Sequence, residues 1–193
     1  MPPVTQALLL INVAAFCLSY FLEPLFTRML ALWPLGAGFL PWQVVSYAFL
    51  HGSFAHLFFN MLGLWMFGAE LERIWGPKRF LQFYFASVLT AAGAQLVVTG
   101  LMGSAFPTVG ASGGLFGLLL AFGMMFPNRI IMPLFPPIPM KARTFVAVFG
   151  GLELLFGVTG TVQGVAHFAH LGGMLGGYLM IRYWRGQPPF GRR

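Results

Sequence analysis

Aspartate is absent from this chain of 193 residues, and its acids are four glutamates, Glu23, Glu70, Glu72 and Glu153. That alone excludes a Ser-His-Asp triad. Cysteine is nearly absent too. Cys17 stands alone, which rules out an intramolecular disulfide or a multi-cysteine metal site and leaves the redox compartment unreadable. Charge of either sign is scarce, at 8% of residues against about 25% in an ordinary soluble domain. With 58% hydrophobic residues and a mean hydropathy of +0.80, such a chain cannot cover its own surface in water. Helices whose lipid-facing surface is meant to be apolar are the remaining solution, because within a bilayer the backbone must satisfy its own hydrogen bonds.

Apolar runs bounded by Gly, Pro and charge place spans near Thr5 to Phe21, Phe54 to Leu71, Phe80 to Leu101, Ser112 to Phe126, Thr144 to Thr159 and Val165 to Tyr183. The expected fold is an all-α membrane protein, a six-transmembrane-helix bundle forming a single domain over 1–193 with no separate soluble domain. The first run lacks a preceding Lys or Arg and reads as a permanent span rather than a cleaved signal. Arg73, Lys78, Arg79, Arg129, Lys141, Arg143, Arg182, Arg185, Arg192 and Arg193 then share one face, and Arg28 alone lies on the other. By the positive-inside rule that face is the cytoplasm and holds both termini. The net charge of +7 reads as a topology signal, not as a nucleic-acid surface. A prokaryotic plasma membrane is the expected location.

Polar side chains inside such a bundle are expensive and are functional candidates by default. His56 and Asn60 are four apart at the start of span two and share a helix face. Gly110-Ala-Ser112-Gly113 opens span four. If that helix ends at Phe126-Pro127 it is about 22 Å long, short of the ~30 Å hydrocarbon core, so Ser112 begins inside the membrane at the foot of a water-accessible pit. The free amides of a helix start can hold a developing negative charge beside that serine. Gly113 and Gly117 in span four, and Gly173 and Gly177 in span six, each lie one turn apart and form close-packing faces; Gly172 and Gly176 form another. They give Ser112 and His170 a reason to meet. His167 and His170 lie near one face, so either can serve as a base.

Taken alone, Ser112 reads as a helix cap, His56 with Asn60 as an interhelical packing pair, and His51 as a residue ordering the outward loop. The four histidines suggest a metal, yet the H-E-x-x-H helix is missing and no acid accompanies them in sequence, so none is expected. Glu153 lies within span five, must face protein or water, and has no role assignable from sequence.

His51-x4-His56-x3-Asn60, Gly110-Ala-Ser112-Gly113 and Ala169-His170-Leu-Gly-Gly173 with Gly177 together resemble the rhomboid intramembrane serine proteases, over His51 to Gly177. The resemblance implies a Ser-His dyad with Ser112 as nucleophile and His170, by its spacing to Gly173 and Gly177, as base. It implies an oxyanion hole from His56, Asn60 and the Ser112 amide, and no cofactor. Glu72-x3-Gly76 looks like a structural element of the family. Two positions depart: Trp42-Gln43 replaces a common Trp-Arg, and Phe116 stands where some members have Tyr, able still to pack on the histidine.

The activity so implied is a serine endopeptidase that cuts transmembrane segments of other membrane proteins near the outer half of the bilayer. The cut segments would carry helix breakers and a small residue at the cut, and substrate access would involve span five and the loop from Thr159 to Gly164. Lipids and transmembrane substrates are the expected partners, and the sequence does not give the oligomeric state. An inactive relative that binds and escorts membrane proteins is one alternative. A small transporter is another, weakened by the lack of an inverted repeat.

Overall fold

Helix α1 (Pro3–Leu22) opens on a proline, whose missing N–H costs nothing at a helix start. The structure, a computed structural model, describes residues 1–134, 137–160 and 166–190. The first amides of α1 find an acceptor outside the helix. The buried carboxylate of Glu72 accepts from the N–H groups of Val4 (2.9 Å) and Thr5 (2.7 Å) and from the Thr5 hydroxyl (2.7 Å). A negative group at the positive end of the helix dipole is stabilising, so Glu72 pins the start of the chain to the far end of the second long helix.

The outward connection holds α2 (Leu25–Leu30) and α3 (Gln43–Ser46), which runs into a 3-10 turn at Tyr47–Phe49. Gln43 sits at its centre, fully buried. Its Oε1 accepts from the backbone N–H of Trp33 (3.2 Å) and Leu40 (3.1 Å), while Nε2 donates to the carbonyl of Arg28 (3.2 Å). The glutamine at this position therefore does anchor the loop, through neutral backbone bonds. Gln43→Ala would leave those groups without partners, at roughly 1–3 kcal/mol for each one that stays buried. The thermal midpoint in detergent is expected to fall by several degrees, and Gln43→Glu to fall similarly, since a carboxylate cannot donate to the Arg28 carbonyl.

After the Ser53 cap, whose hydroxyl accepts from the His56 N–H at 3.1 Å, α4 (Phe54–Gly63), a π turn (Leu64–Gly68) and α5 (Ala69–Trp75) form one continuous helix of 22 residues. Gly76, with φ +76°, ends it. Then come α6 (Pro77–Met102), α7 (Ser112–Met125), a minimal antiparallel pair β1 (Ile130–Ile131) and β2 (Met140–Lys141), α8 (Ala142–Thr159) and α9 (His167–Trp184). The apolar runs of the sequence lie on α1, on α4 through α5, and on α6, α7, α8 and α9. Val165, Arg192, Arg193 and the stretch from Thr161 to Gly164 lie outside the described residues.

Among the described residues four helices are long and apolar enough to cross a membrane: Pro3–Leu22, Phe54–Trp75, Pro77–Met102 and Ala142–Thr159. α7 is apolar but has only 14 residues. α9 has 18, and its two histidines, four glycines and Arg182 dilute its apolar character.

In lipid there is little hydrophobic drive between helices, so close backbone approach must hold the bundle together. α6, α7 and α9 do this through glycine. A Cβ at Gly117 would meet Ser87 of α6 and lie 3.0 Å from the Gly173 carbonyl oxygen of α9. One at Gly177 would lie 3.1 Å from the Gly117 Cα, and one at Gly172 would lie 2.5 Å from the Ala94 Cβ of α6. The paired glycines of α9 thus serve two neighbours, Gly173 and Gly177 facing α7 and Gly172 and Gly176 facing α6. One end of the bundle gathers charge: Arg79 lies 5.8 Å over the Trp184 ring, Trp184 packs on Trp75, and Arg129 pairs with Glu70.

Candidate active site

Ser112 is the first residue of α7, and the geometry before it leaves room for little but glycine. Gly110 has φ +131°, and a Cβ there would lie 2.8 Å from Nε2 of His56 and 3.5 Å from Oγ of Ser112. Its N–H donates to the Tyr47 carbonyl (3.0 Å), while Leu32 and Thr108 exchange backbone bonds as an isolated bridge. The turn that presents the serine is thereby tied to the anchored outward loop.

Across from it, α9 carries His170. Nε2 of His170 lies 2.7 Å from Oγ of Ser112, and Phe116, one turn along α7, stacks on the imidazole with centroids 4.3 Å apart and planes 6° from parallel. The phenylalanine at this position packs against the histidine as its shape allowed. The histidine held against Ser112 is His170. His167 is buried, and its Nδ1 lies 2.6 Å from Oε2 of Glu153 on α8. It is a bonded interior residue. The same Oε2 lies 2.9 Å from Nδ1 of His170.

His56, Asn60, Ser112, Phe116 and His170 line one cavity of about 850 Å³, together with Gln95, Thr108 and residues of the loop before α7. Gln95 Nε2 donates to the Thr108 hydroxyl (3.0 Å), fixing that wall. Asn60 donates one amide hydrogen to the His56 carbonyl (2.8 Å), which leaves its second N–H available. The first amides of α7 add donors that have no acceptor within their own helix. His51 lies just before α4, edge-on to His56 with centroids 4.9 Å apart. Burial, helped by His56, pushes its pKa down to about 4, so His51 is neutral at pH 7. Glu72 and Gly76 lie at the other end of the helix that carries His56 and Asn60, where Glu72 caps α1.

Glu153 is the residue whose part sequence reasoning missed. A carboxylate in an apolar run must find a partner, and the histidines of the neighbouring helix were candidates, yet nothing in one dimension fixes which helix faces which. The acid thought to be missing from the histidines is therefore present. Oε2 of Glu153 and one ring nitrogen each of His167 and His170 lie within 4.8 Å of one another, a set able to hold a cation.

Residues 39–186 match the family model of the Rhomboid domain. The chain belongs to the rhomboid family. It is similar to rhomboid protease GluP of Bacillus subtilis, 34% identical over 141 residues that make up 71% of this chain and 25% of that protein. Likewise it is 32% identical over 152 residues to rhomboid protein 1, mitochondrial, of Saccharomyces cerevisiae, covering 71% of this chain and 40% of that one. RHOMBOID-like protein 4 of Arabidopsis thaliana is 32% identical over 139 residues, 72% of this chain and 33% of its own. The chain thus spans 40% or less of the length of these curated relatives. Family and apolar helices together make it an integral membrane protein built of helices.

Proposed function

We propose that this rhomboid domain is an intramembrane serine endopeptidase that cuts transmembrane segments of other membrane proteins. The observation that carries the reading is the 2.7 Å contact between Oγ of Ser112 and Nε2 of His170 at the wall of the cavity. In the reaction, the Ser112 hydroxyl gives its proton to Nε2 as Oγ attacks the scissile carbonyl. The oxyanion of the tetrahedral intermediate is held by the Ser112 amide, the spare Asn60 N–H and His56. His170 then returns the proton to the leaving amine, and water, activated by the same imidazole, releases the acyl group from Ser112. No cofactor takes part.

Six spans with both termini cytoplasmic put the site in the outer half of the bilayer. At about 1.5 Å per residue, α7 reaches about 21 Å, so a helix of this length leaves Ser112 below the outer edge of a ~30 Å core. The cations collected at the opposite end of the bundle support that orientation, in a plasma membrane of prokaryotic type. A helical substrate hides its carbonyls in hydrogen bonds and must unwind before it is cut, which favours helix breakers and a small residue at the cut.

The test is reconstitution in liposomes with a single-span substrate bearing such a segment. Expected are cleavage within the outer half of the span, located by mass spectrometry, and a fluorophosphonate adduct on the peptide containing Ser112. A folded protein that neither labels nor cuts would overturn the protease reading in favour of a binding or escort role.

A further inference from the structure

The proposed dyad gives no part to Glu153, a carboxylate inside the bundle. Glu153 sits on α8 between Gly150 and Gly157, three residues before and four after, so all three share a helix face. Both glycines bring α8 close to α9. A Cβ at Gly150 would lie 3.2 Å from Met174 Cε, and one at Gly157 would lie 3.1 Å from the Phe168 ring and 3.2 Å from Cβ of His167. Above and below the carboxylate the helices are thus held near enough for a glutamate side chain to reach the histidines.

His170 stands between Ser112 and Glu153: Oγ of Ser112 is 2.7 Å from Nε2, and Nδ1 of the same ring is 2.9 Å from Oε2. An imidazole that is to take a proton at Nε2 must carry its own proton at Nδ1. An acceptor beside Nδ1 favours that tautomer, and a negative one steadies most strongly the imidazolium that forms as Oγ attacks. Phe116 holds the face of the ring but offers no acceptor at its edge. We propose that Glu153 is a positioning residue of the site, accepting from Nδ1 of His170 to fix its tautomer and to stabilise its cationic form, with His167 holding the carboxylate in place.

The roles are chemically balanced. The proton of Ser112 passes to Nε2 and later to the leaving amine, the Nδ1 proton stays on His170, and Glu153 remains ionised throughout. In the resting structure the 2.9 Å approach is not aligned along the Nδ1–H direction, while His167 Nδ1 is bonded to the same oxygen at 2.6 Å. A contact of this kind tightens when the substrate complex forms and the histidine takes charge. The inference rests on the Ser112–His170 reading. It goes beyond it by giving this chain a third, acidic member contributed by a different helix.

A carboxylate that merely tethers α8 to α9 would be replaced without loss by glutamine, which has the same shape and still accepts from His167. The positioning role predicts otherwise. In liposomes, Glu153→Gln is expected to keep the wild-type KM and thermal midpoint while kcat and the rate of fluorophosphonate labelling fall about 10- to 100-fold. Glu153→Asp, which keeps the charge on a shorter arm, is expected to retain more activity than Glu153→Gln. Unchanged kcat in Glu153→Gln, or the reverse order of the two variants, overturns the proposal. Should Glu153→Gln fail to fold, Glu153→Asp against Glu153→Ala in labelling rate decides the same point. Wild-type activity lost to a chelator and restored by zinc would also overturn it, since the carboxylate would then be a metal ligand. Failure of the underlying reading looks different, as a wild type that neither labels nor cuts.

Discussion

Ser112→Ala is expected to abolish fluorophosphonate labelling and to lower cleavage of a single-span substrate by at least about 10⁴-fold, and His170→Ala to do nearly the same. The two groups act as one device. Without the imidazole, the serine hydroxyl must lose its proton to water in a pocket with few polar groups, and without the hydroxyl the imidazole has nothing to activate. The double variant should therefore cost no more than either single one. His167→Ala, by contrast, leaves the 2.7 Å contact between Ser112 and His170 in place and removes the second bond to Glu153. Its cleavage should stay well above that of His170→Ala, measured under the same single-turnover conditions. Equal loss in His167→Ala and His170→Ala would mean that the base has been assigned to the wrong ring.

Gly173→Val is expected to be the most damaging change outside the reacting groups. A Cβ at Gly173 would overlap the carbonyl oxygen of Gly113 and lie 2.7 Å from its carbonyl carbon and 3.2 Å from its Cα. The obstacle is backbone, so no rotamer change relieves it, and α7 and α9 must part. Overpacking of this kind costs about 3 kcal/mol, and more where the backbone itself must move. The chemical cost is larger still. Gly113 follows Ser112 directly and Gly173 stands one turn after His170, so any parting of the helices lengthens the serine–histidine contact, and about 1 Å of misplacement is worth about 100-fold in rate. Thermal unfolding in detergent and the labelling rate should both register the change. Gly151→Ala is the matched control: nothing lies within 4 Å of a Cβ there, and the substitution should be nearly silent in both assays.

Much of this was legible in one dimension because lipid simplifies the code. Apolar runs broken by glycine, proline and charge translate directly into helices, and the expected start of span four at Ser112 coincides with the start of α7. The close approach of α7 and α9 was readable from Gly113, Gly117, Gly173 and Gly177, since small residues a turn apart have few other uses in an apolar helix. What escaped depends on which helices are neighbours. Glu153 announces that it needs a partner but not where the partner is, and Gln43 stands out as a departure from the common Trp-Arg without showing that Trp33, Leu40 and Arg28 surround it. The strand pair of Ile130–Ile131 with Met140–Lys141 is too short to show an alternating pattern. The π turn at Leu64–Gly68 leaves no mark in an apolar sequence.

That turn sets the phase of the second long helix. Asn60 and Glu72 are twelve residues apart, and in an uninterrupted α-helix twelve steps of about 100° would leave their side chains about 120° out of line. The wide turn at Leu64–Gly68 absorbs one residue, so that eleven steps count and the two come within about 20° of one another. Asn60 and Glu72 are accordingly both buried, one beside the cavity and the other beneath the start of α1. The length of this segment is thus a coordinate in its own right. Removing one residue from Leu64–Gly68 so as to leave a plain α-helix would keep both ends in phase, whereas a single-residue insertion beside an intact turn would swing Glu72 away from α1 by about 100° with every side chain of the cavity unaltered.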